Sequence, residues 1–553
     1  MDNKLINPLD KIALSLSGGG YRAASFHLGT MAYLNRLIYK DRPLLANLRL
    51  ISTVSGGTIT GVLYVLMMKQ RLSFKEFYQL LLRNLGTLDL VKTGIQQLNP
   101  DAEWKNTEKT KNLINAFAEQ YKDYFTGEAV MADLEPLPNQ LEQVIFNSTE
   151  FSNAINFRFK TIKWPDTYAG NFYNRVLASQ LHEVRLADVI AASSCFPGGF
   201  EPMLWPDDFL HRNSPMLRSL KKENIAAKKP PLGVMDGGIY DNQGIDSILT
   251  YKKDPYFDLV IISDVASPDM QAYKPFIPGP KKGYKAYTVK DLKTMAGRYN
   301  HQADIGLGIM LLVFSIAPLF WEYGNNIFTG ITLALTAVTL CLIYLKTWAL
   351  SKFESGKTRV YAKLLGLIPK FYQEKLAALD IDQLSLHRLE PLITDRLNSL
   401  VTLLMEVFLK VVRRLNYNVL YQDEQYAYKR IDNRIKELTE EDFLKRHADK
   451  DYAEEVGPEM KAVAEAAAKC GTSLWFTDTQ VLDETLKKLV ASGEFTMCFN
   501  MKIYLEKIIN DPKSGYRQMD LENQGMVDQV YQQCVDDLER FKIDPYFLYD
   551  LGC

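Results

Sequence analysis

The chain has 553 residues, of which 47% are hydrophobic and 24% charged, and its net charge is −1. That length serves two or three domains, the composition excludes a disordered or fibrous chain, and the balanced charge excludes a global basic field that would recruit nucleic acid. Six scattered cysteines (Cys195, Cys341, Cys470, Cys498, Cys534, Cys553) form no C-x-x-C pair and no Cys/His cluster, which argues against a zinc site or a disulfide framework and fits a reducing compartment.

The first residues, MDNKLINPLDK, contain no apolar stretch of signal-peptide length. Ile12-Ala13-Leu14-Ser15-Leu16 reads as a short strand, and Phe26, Leu28, Met31, Leu34 and Leu37 follow at helical spacing. Between them, Gly18, Gly19 and Gly20 leave backbone N–H groups open to a phosphate or an oxyanion, because no Cβ blocks approach. The loop is neither a Walker A loop nor G-x-G-x-x-G. Arg22 has two open readings: a loop support paired with a carboxylate, or a contact to an anionic substrate. His27 sits well inside the helix between Phe26 and Leu28 and reads as a packed or surface histidine, and His182 and His211 lack the flanking pattern of a catalytic base.

Leu50-Ile51-Ser52-Thr53-Val54 reads as a buried strand, followed by Ser55, then Gly56-Gly57, then Ile59, Val62, Leu63, Leu66 and Met67 in helical rhythm. A serine on a tight strand-to-helix turn has its hydroxyl pushed out of the sheet and lies near unpaired N–H groups, which is the physical content of a nucleophile elbow. Gly57 meets the second glycine of G-x-S-x-G, whereas Thr53 stands where the first belongs.

Residues 73–122 read as helices broken near Asn99-Pro100, with Lys105, Lys109 and Lys111 on a solvated face. Residues 143–147 and 157–162 are strand candidates, and Leu186, Val189, Ile190 and Ala191 form a small-residue helix face, with Cys195 a packing residue beyond it. Asp236 precedes Gly237-Gly238, where the missing side chains allow another group to approach its carboxylate, and residues 257–264 form a buried strand that ends in Asp264.

Taken together and in this order, SGGGYRAASFHLG, ISTVSGGTITG, FNSTEFSNAINFRF, VRLADVIAASSCFPGGFEP, VMDGGIYDNQG and DLVIISDVASP resemble the patatin-like phospholipases, in particular their bacterial-type branch. The resemblance spans the first half of the chain. It implies an α/β fold with a three-layer α/β/α sheet, and a histidine-free dyad of Ser55 as nucleophile and Asp236 as its proton acceptor. It also implies an oxyanion hole at Gly18, Gly19 and Gly20, acyl esters of membrane phospholipids as substrate, and no cofactor or metal. Thr53 is the departure from the family pattern. An acyltransferase or a neutral-lipid lipase with the same dyad, and a catalytically silent membrane scaffold, are the competing readings.

After a basic run from Lys281 to Arg298 the composition changes. Residues 305–320 and 327–345 carry no charge, Trp321 and Tyr323 lie between them, and Lys346, Lys352, Lys357 and Arg359 follow. A bilayer span needs about 20 residues, with about 17 at the low end: 327–345 qualifies, 305–320 is marginal and contains Pro318, which a membrane helix tolerates, and together they read as a transmembrane or membrane-embedded helical hairpin. Basic outer flanks and a turn without Lys or Arg place both soluble parts on the cytoplasmic face, that of the inner or plasma membrane in a bacterium. The expected organisation is a catalytic domain over 1–300, the hairpin over 301–350 and a mainly helical region over 351–553. In that last region 400–415 reads as a core-packed or membrane-surface helix, and 424–450 as a solvated helix or linker. The expected partners are phospholipid and the bilayer, with no nucleic acid, and homo-oligomerisation is left open.

Overall fold

A computed structural model describes residues 7–104, 106, 109–161, 168–226, 232–251, 256–266, 277, 280, 282–316, 331–348, 383–403, 407–447 and 455–551. Two compact units divide the chain, Met1–Met270 with Leu404–Cys553, and Gln271–Leu403.

The first unit is built on a mixed sheet. Its strands are β1 (Ile12–Leu16), β4 (Leu48–Val54), β5 (Gln143–Glu150), β6 (Ile155–Lys160), β7 (Ala169–Gly170), β8 (Arg175–Val176), β9 (Met203–Trp205), β10 (Leu232–Asp236), β11 (Leu259–Asp264) and β12 (Arg430–Arg434). A separate small hairpin pairs β2 (Ile38–Tyr39) with β3 (Arg42–Pro43). The main order is β12-β11-β1-β4-β5-β6-β7-β8, with β10 on β5 and β9 on β10. The pairs from β12 through β5 are parallel, and those beyond are antiparallel.

Alternation along the strands decides which face each side chain buries. Ile12, Leu14, Leu259 and Ile261 join one apolar cluster, whereas Ala13, Val260 and Ile262 join another. Helices α1 (Gly20–Arg36) and α2 (Gly56–Lys69) and the helix Thr485–Asn510 contribute to the first cluster, and Ile245, Ile248, Tyr417 and Leu420 to the second. Helix α1 crosses Thr485–Asn510 where two glycines meet. A Cβ on Gly29 would overlap the Val490 carbonyl, and one on Gly493 the Phe26 carbonyl. Only glycine permits so close an approach of two backbones.

Two charged stretches differ from their expected surface placement. Within the stretch expected as a solvated helix or linker, Arg430–Arg434 form β12, an edge strand, while Glu440–His447 form a helix. Arg434 can be buried there because Asp432 (3.0 Å) and Glu437 neutralise it. Lys109 likewise leaves the solvated face and pairs with buried Asp188, while Lys105 lies outside the described residues. Beyond residue 404 the first unit is mainly helical, with Phe408–Gln422, Pro458–Lys469, Thr485–Asn510 and Leu521–Ile543 as its longer helices.

In the second unit residues 305–316 of the first apolar stretch belong to a longer helix, Val289–Ile316, that begins within the basic run, and 317–320 lie outside the described residues. Residues 331–348 form another helix, the one described helix long and apolar enough to cross a membrane by length and composition. Lys346 Nζ ties the two, donating to the Asn300 carbonyl (3.0 Å) and to Asp304 Oδ1 (2.6 Å). The expected turn with Trp321 and Tyr323 lies outside the described residues.

Candidate active site

Strand β5 brings Ser55 and Asp236 together. Parallel β4 pairs with it as far as Val54 beside Asn147, and antiparallel β10 takes up the same strand where Asp236 faces Ser148. Two strands from opposite directions thus end on adjacent residues of one ruler. Ser55 follows the end of the first and Asp236 closes the second.

Ser55 has φ 50° and ψ −121°, a left-handed-side conformation that costs a non-glycine residue about 1–3 kcal/mol and persists only where neighbours over-determine it. Its N–H donates to Ser193 Oγ (2.9 Å), and Ser193 Oγ donates to the Asn147 carbonyl (2.6 Å). Ser193 has thereby used its one proton, so Thr58 Oγ1 donates to it (2.8 Å) and Thr53 Oγ1 donates to Thr58 (2.9 Å). Thr53, the departure from G-x-S-x-G, is therefore a working part of this hydroxyl chain. Its methyl fits because residue 61 is glycine, where a Cβ would lie 2.5 Å from Thr53 Cγ2. The glycine missing on the strand has its counterpart on the helix that packs against it.

Asp236 is buried, and its Oδ1 accepts the Gly238 N–H (2.7 Å). Burial pushes its carboxyl up to about 6, against the opposing pull of the Gly238 N–H and of a hydrogen bond from the Ser55 side chain. The Asp236 N–H donates to the Cys195 carbonyl (3.0 Å), and Thr149 Oγ1 donates to the Asp236 carbonyl (2.8 Å). A buried carboxylate in contact with a serine hydroxyl, near neutrality in its proton affinity, can act as a base.

The glycine loop lies against the elbow. A Cβ on Gly18 would come 3.1 Å from Ser55 Cβ, and one on Gly56 would overlap the Gly20 carbonyl. Of the three expected donors, Gly18 N–H is already engaged by the Asn242 carbonyl (2.9 Å). Gly19 and Gly20 stand at the N-terminus of α1, where helix geometry leaves N–H groups unpaired. Beneath the loop, His27 is fully buried, with Nε2 donating to the Ser17 carbonyl (2.8 Å) and Nδ1 accepting from Ser263 Oγ (2.7 Å). Burial lowers its pKa to about 4, so it is a neutral prop rather than a base. Arg22 points to the C-terminal part of the chain, with Nη1 donating to the Cys470 carbonyl (2.8 Å).

Sequence reasoning missed three contributors. Asn242 wedges its amide oxygen between the loop and the Asp236 turn, where a Cβ on Gly18 or Gly238 would strike it; it stands in the quoted run DNQG after Asp236. Ser193 belongs to AASSC, read there as a packing face. Residues 470–476 roof the glycine loop: Tyr21 N–H donates to the Ser473 carbonyl (2.9 Å), and the Tyr21 and Phe476 rings lie 5.8 Å apart. No sequence signal marks that roof. Among the described residues, no group of three or more His, Cys, Asp or Glu could hold a metal ion.

The family model of patatin-like phospholipases matches residues 14–249, a span that contains the glycine loop, the Ser55 turn and the Asp236 turn. No curated protein matches the chain.

Proposed function

We propose that this chain, which carries a patatin-like phospholipase domain and is a lipid acyl hydrolase, works through a Ser55–Asp236 dyad on membrane phospholipids while tethered to the bilayer. The observation that supports the dyad is the register on β5, which ends β4 at Val54 beside Asn147 and β10 at Asp236 beside Ser148, so that Ser55 and the buried Asp236 meet.

Asp236, with its proton affinity raised to about 6, is a better base at neutral pH than a free carboxylate. It takes the Ser55 proton as the hydroxyl oxygen attacks the ester carbonyl. Charge builds on the carbonyl oxygen, which Gly19 and Gly20 N–H stabilise at the helix N-terminus; such donors are worth about 3 kcal/mol each in other acyl-transfer enzymes. The leaving alcohol departs with the proton from Asp236. Water then attacks the acyl-enzyme, giving its proton to Asp236, and Ser55 recovers a proton as the fatty acid leaves. The helices on both faces of the sheet suit a three-layer arrangement that holds both turns beside β5.

The tether is the hairpin of residues 305–345, its soluble flanks on the cytoplasmic face. Support comes from the uncharged stretches, their basic flanks and the exposed apolar side chains of 331–348. Ser55→Ala, with folding intact, abolishes both lipid hydrolysis and labelling by a fluorophosphonate; retained hydrolysis refutes the dyad. Carbonate extraction leaves the full chain in the membrane pellet, and its release would refute the tether.

A further inference from the structure

The strand that aligns Ser55 and Asp236 leads into a rim of exposed apolar side chains. From Ser148, the partner of Asp236, β5 continues to Glu150 and the chain turns at Phe151. Phe151 N–H donates to the Gly233 carbonyl (3.1 Å), and Gly233 pairs with Leu204 of β9. The carboxylate of Glu150 accepts from Asn171 Nδ2 (2.5 Å) and Asn174 Nδ2 (2.9 Å), which seats the β7–β8 turn beside it. That turn holds Phe172 and Tyr173 outward, and Leu177 follows β8. Exposure is 47% at Phe151, 68% at Phe172, 60% at Tyr173, 57% at Leu177 and 40% at Leu204.

Single exposed apolar residues are ordinary on protein surfaces, but Phe151, beside buried Glu150, and Phe172 and Tyr173, on the turn that Glu150 seats, form a group with Leu204 across Gly233. At about 3.3 Å per strand residue, Phe151 stands about 10 Å along the chain from Ser148, the partner of Asp236. A cation accompanies the aromatics: the Arg175 guanidinium lies 4.5 Å from the Tyr168 ring centroid and 5.6 Å from that of Phe172. Aromatic and aliphatic tips with a guanidinium behind them match the layering of a phospholipid surface, where acyl chains lie below charged phosphates.

We infer that this rim docks the catalytic unit on a phospholipid surface. Phe151, Phe172, Tyr173, Leu177 and Leu204 enter the interfacial layer, Arg175 meets lipid phosphate, and the ester reaches Ser55 without crossing open water. The inference rests on the lipid-ester reading of the site and adds the surface through which substrate is met.

The test uses the full chain reconstituted in vesicles of phosphatidylethanolamine and phosphatidylglycerol. Phe172→Ser/Tyr173→Ser should leave hydrolysis of a soluble short-chain ester unchanged and lower hydrolysis of vesicle lipid about tenfold, while Phe172→Trp/Tyr173→Trp keeps both rates. Leu521→Ser, an exposed leucine on another helix, should change neither. A vesicle-lipid rate unaffected by the serine pair, or equal loss of both rates, would overturn the inference. A second measurement does not depend on chemistry: in Ser55→Ala/Cys341→Ser/Cys553→Ser, a fluorophore on Tyr173→Cys should be quenched by spin-labelled lipid, and an unquenched probe would overturn the inference. Hydrolysis that survives Ser55→Ala would instead sink the dyad, whatever the probe reports. Stable capture of a protein partner with no lipid quenching would reassign the rim to that partner.

Discussion

Two helices of this chain would be misplaced by composition alone. Thr485–Asn510 contains Lys487, Lys488, Glu494, Lys502, Glu506 and Lys507, yet most of its residues are buried, Glu494 completely. Residues 331–348 contain one charge, Lys346, yet leave Leu333, Val338, Leu340 and Tyr344 exposed. The difference lies in what can approach. Gly493 lets the first helix touch α1 backbone to backbone, and Lys502 finds Glu455 at 2.8 Å. The second has no such cover among the described residues, so its apolar side chains require a surrounding that the described chain does not supply.

The largest effect should come from charging the uncovered helix. Val338→Arg/Leu340→Arg adds two cations at a cost of about 3 kcal/mol each at a bilayer centre, and should release the chain on carbonate extraction. Hydrolysis of a soluble ester should not change. If the protein stays in the pellet, the helix is covered by something other than lipid and the contrast collapses. The covered helix breaks in the opposite way. Gly493→Leu forces side-chain atoms into the Phe26 carbonyl and should destabilise the first unit by about 1–3 kcal/mol in thermal unfolding, with retention in the membrane unaffected.

Ser193→Ala sharpens the comparison inside the covered unit. It leaves the Ser55 N–H and the Thr58 hydroxyl without their acceptor, a loss of about 1–3 kcal/mol for buried donors. Soluble-ester turnover should fall alongside the drop in melting temperature, because the strained elbow loses its hold. The smallest effect is on pH. Asp236 must be ionised to accept a proton, and its carboxyl titrates near 6, so kcat/KM for a soluble ester should be level above that pH and fall tenfold per unit below it. The arginine pair in 331–348 should leave that profile where it is.

What was legible in the sequence follows from the same contrast. The Ser55 turn, the glycine loop and the Asp236 turn each occupy a short run of adjacent residues, where the chemistry of a turn is written locally. The carbonyl of Asn242 that engages Gly18, the hydroxyl chain from Thr53 to Asn147, and the glycine crossing of α1 with Thr485–Asn510 join residues far apart along the chain. Such contacts have no period and no motif. The strand Arg430–Arg434 escaped notice for a related reason: buried Arg434 is neutralised by Asp432 and Glu437 within the fold, and such burial cannot be seen from charge density.

Strand β12 and the roof at 470–476 reach the sheet from beyond residues 271–403. A ribosome therefore finishes the apolar stretch before it finishes the enzyme. Any nascent chain long enough to complete the surroundings of Ser55 has already exposed the apolar helix of residues 331–348, so that helix is made before the site is whole. A fragment cut at the family-matched boundary would carry Ser55 and Asp236 but neither the last strand nor the roof, and bench dissection should start from the full chain.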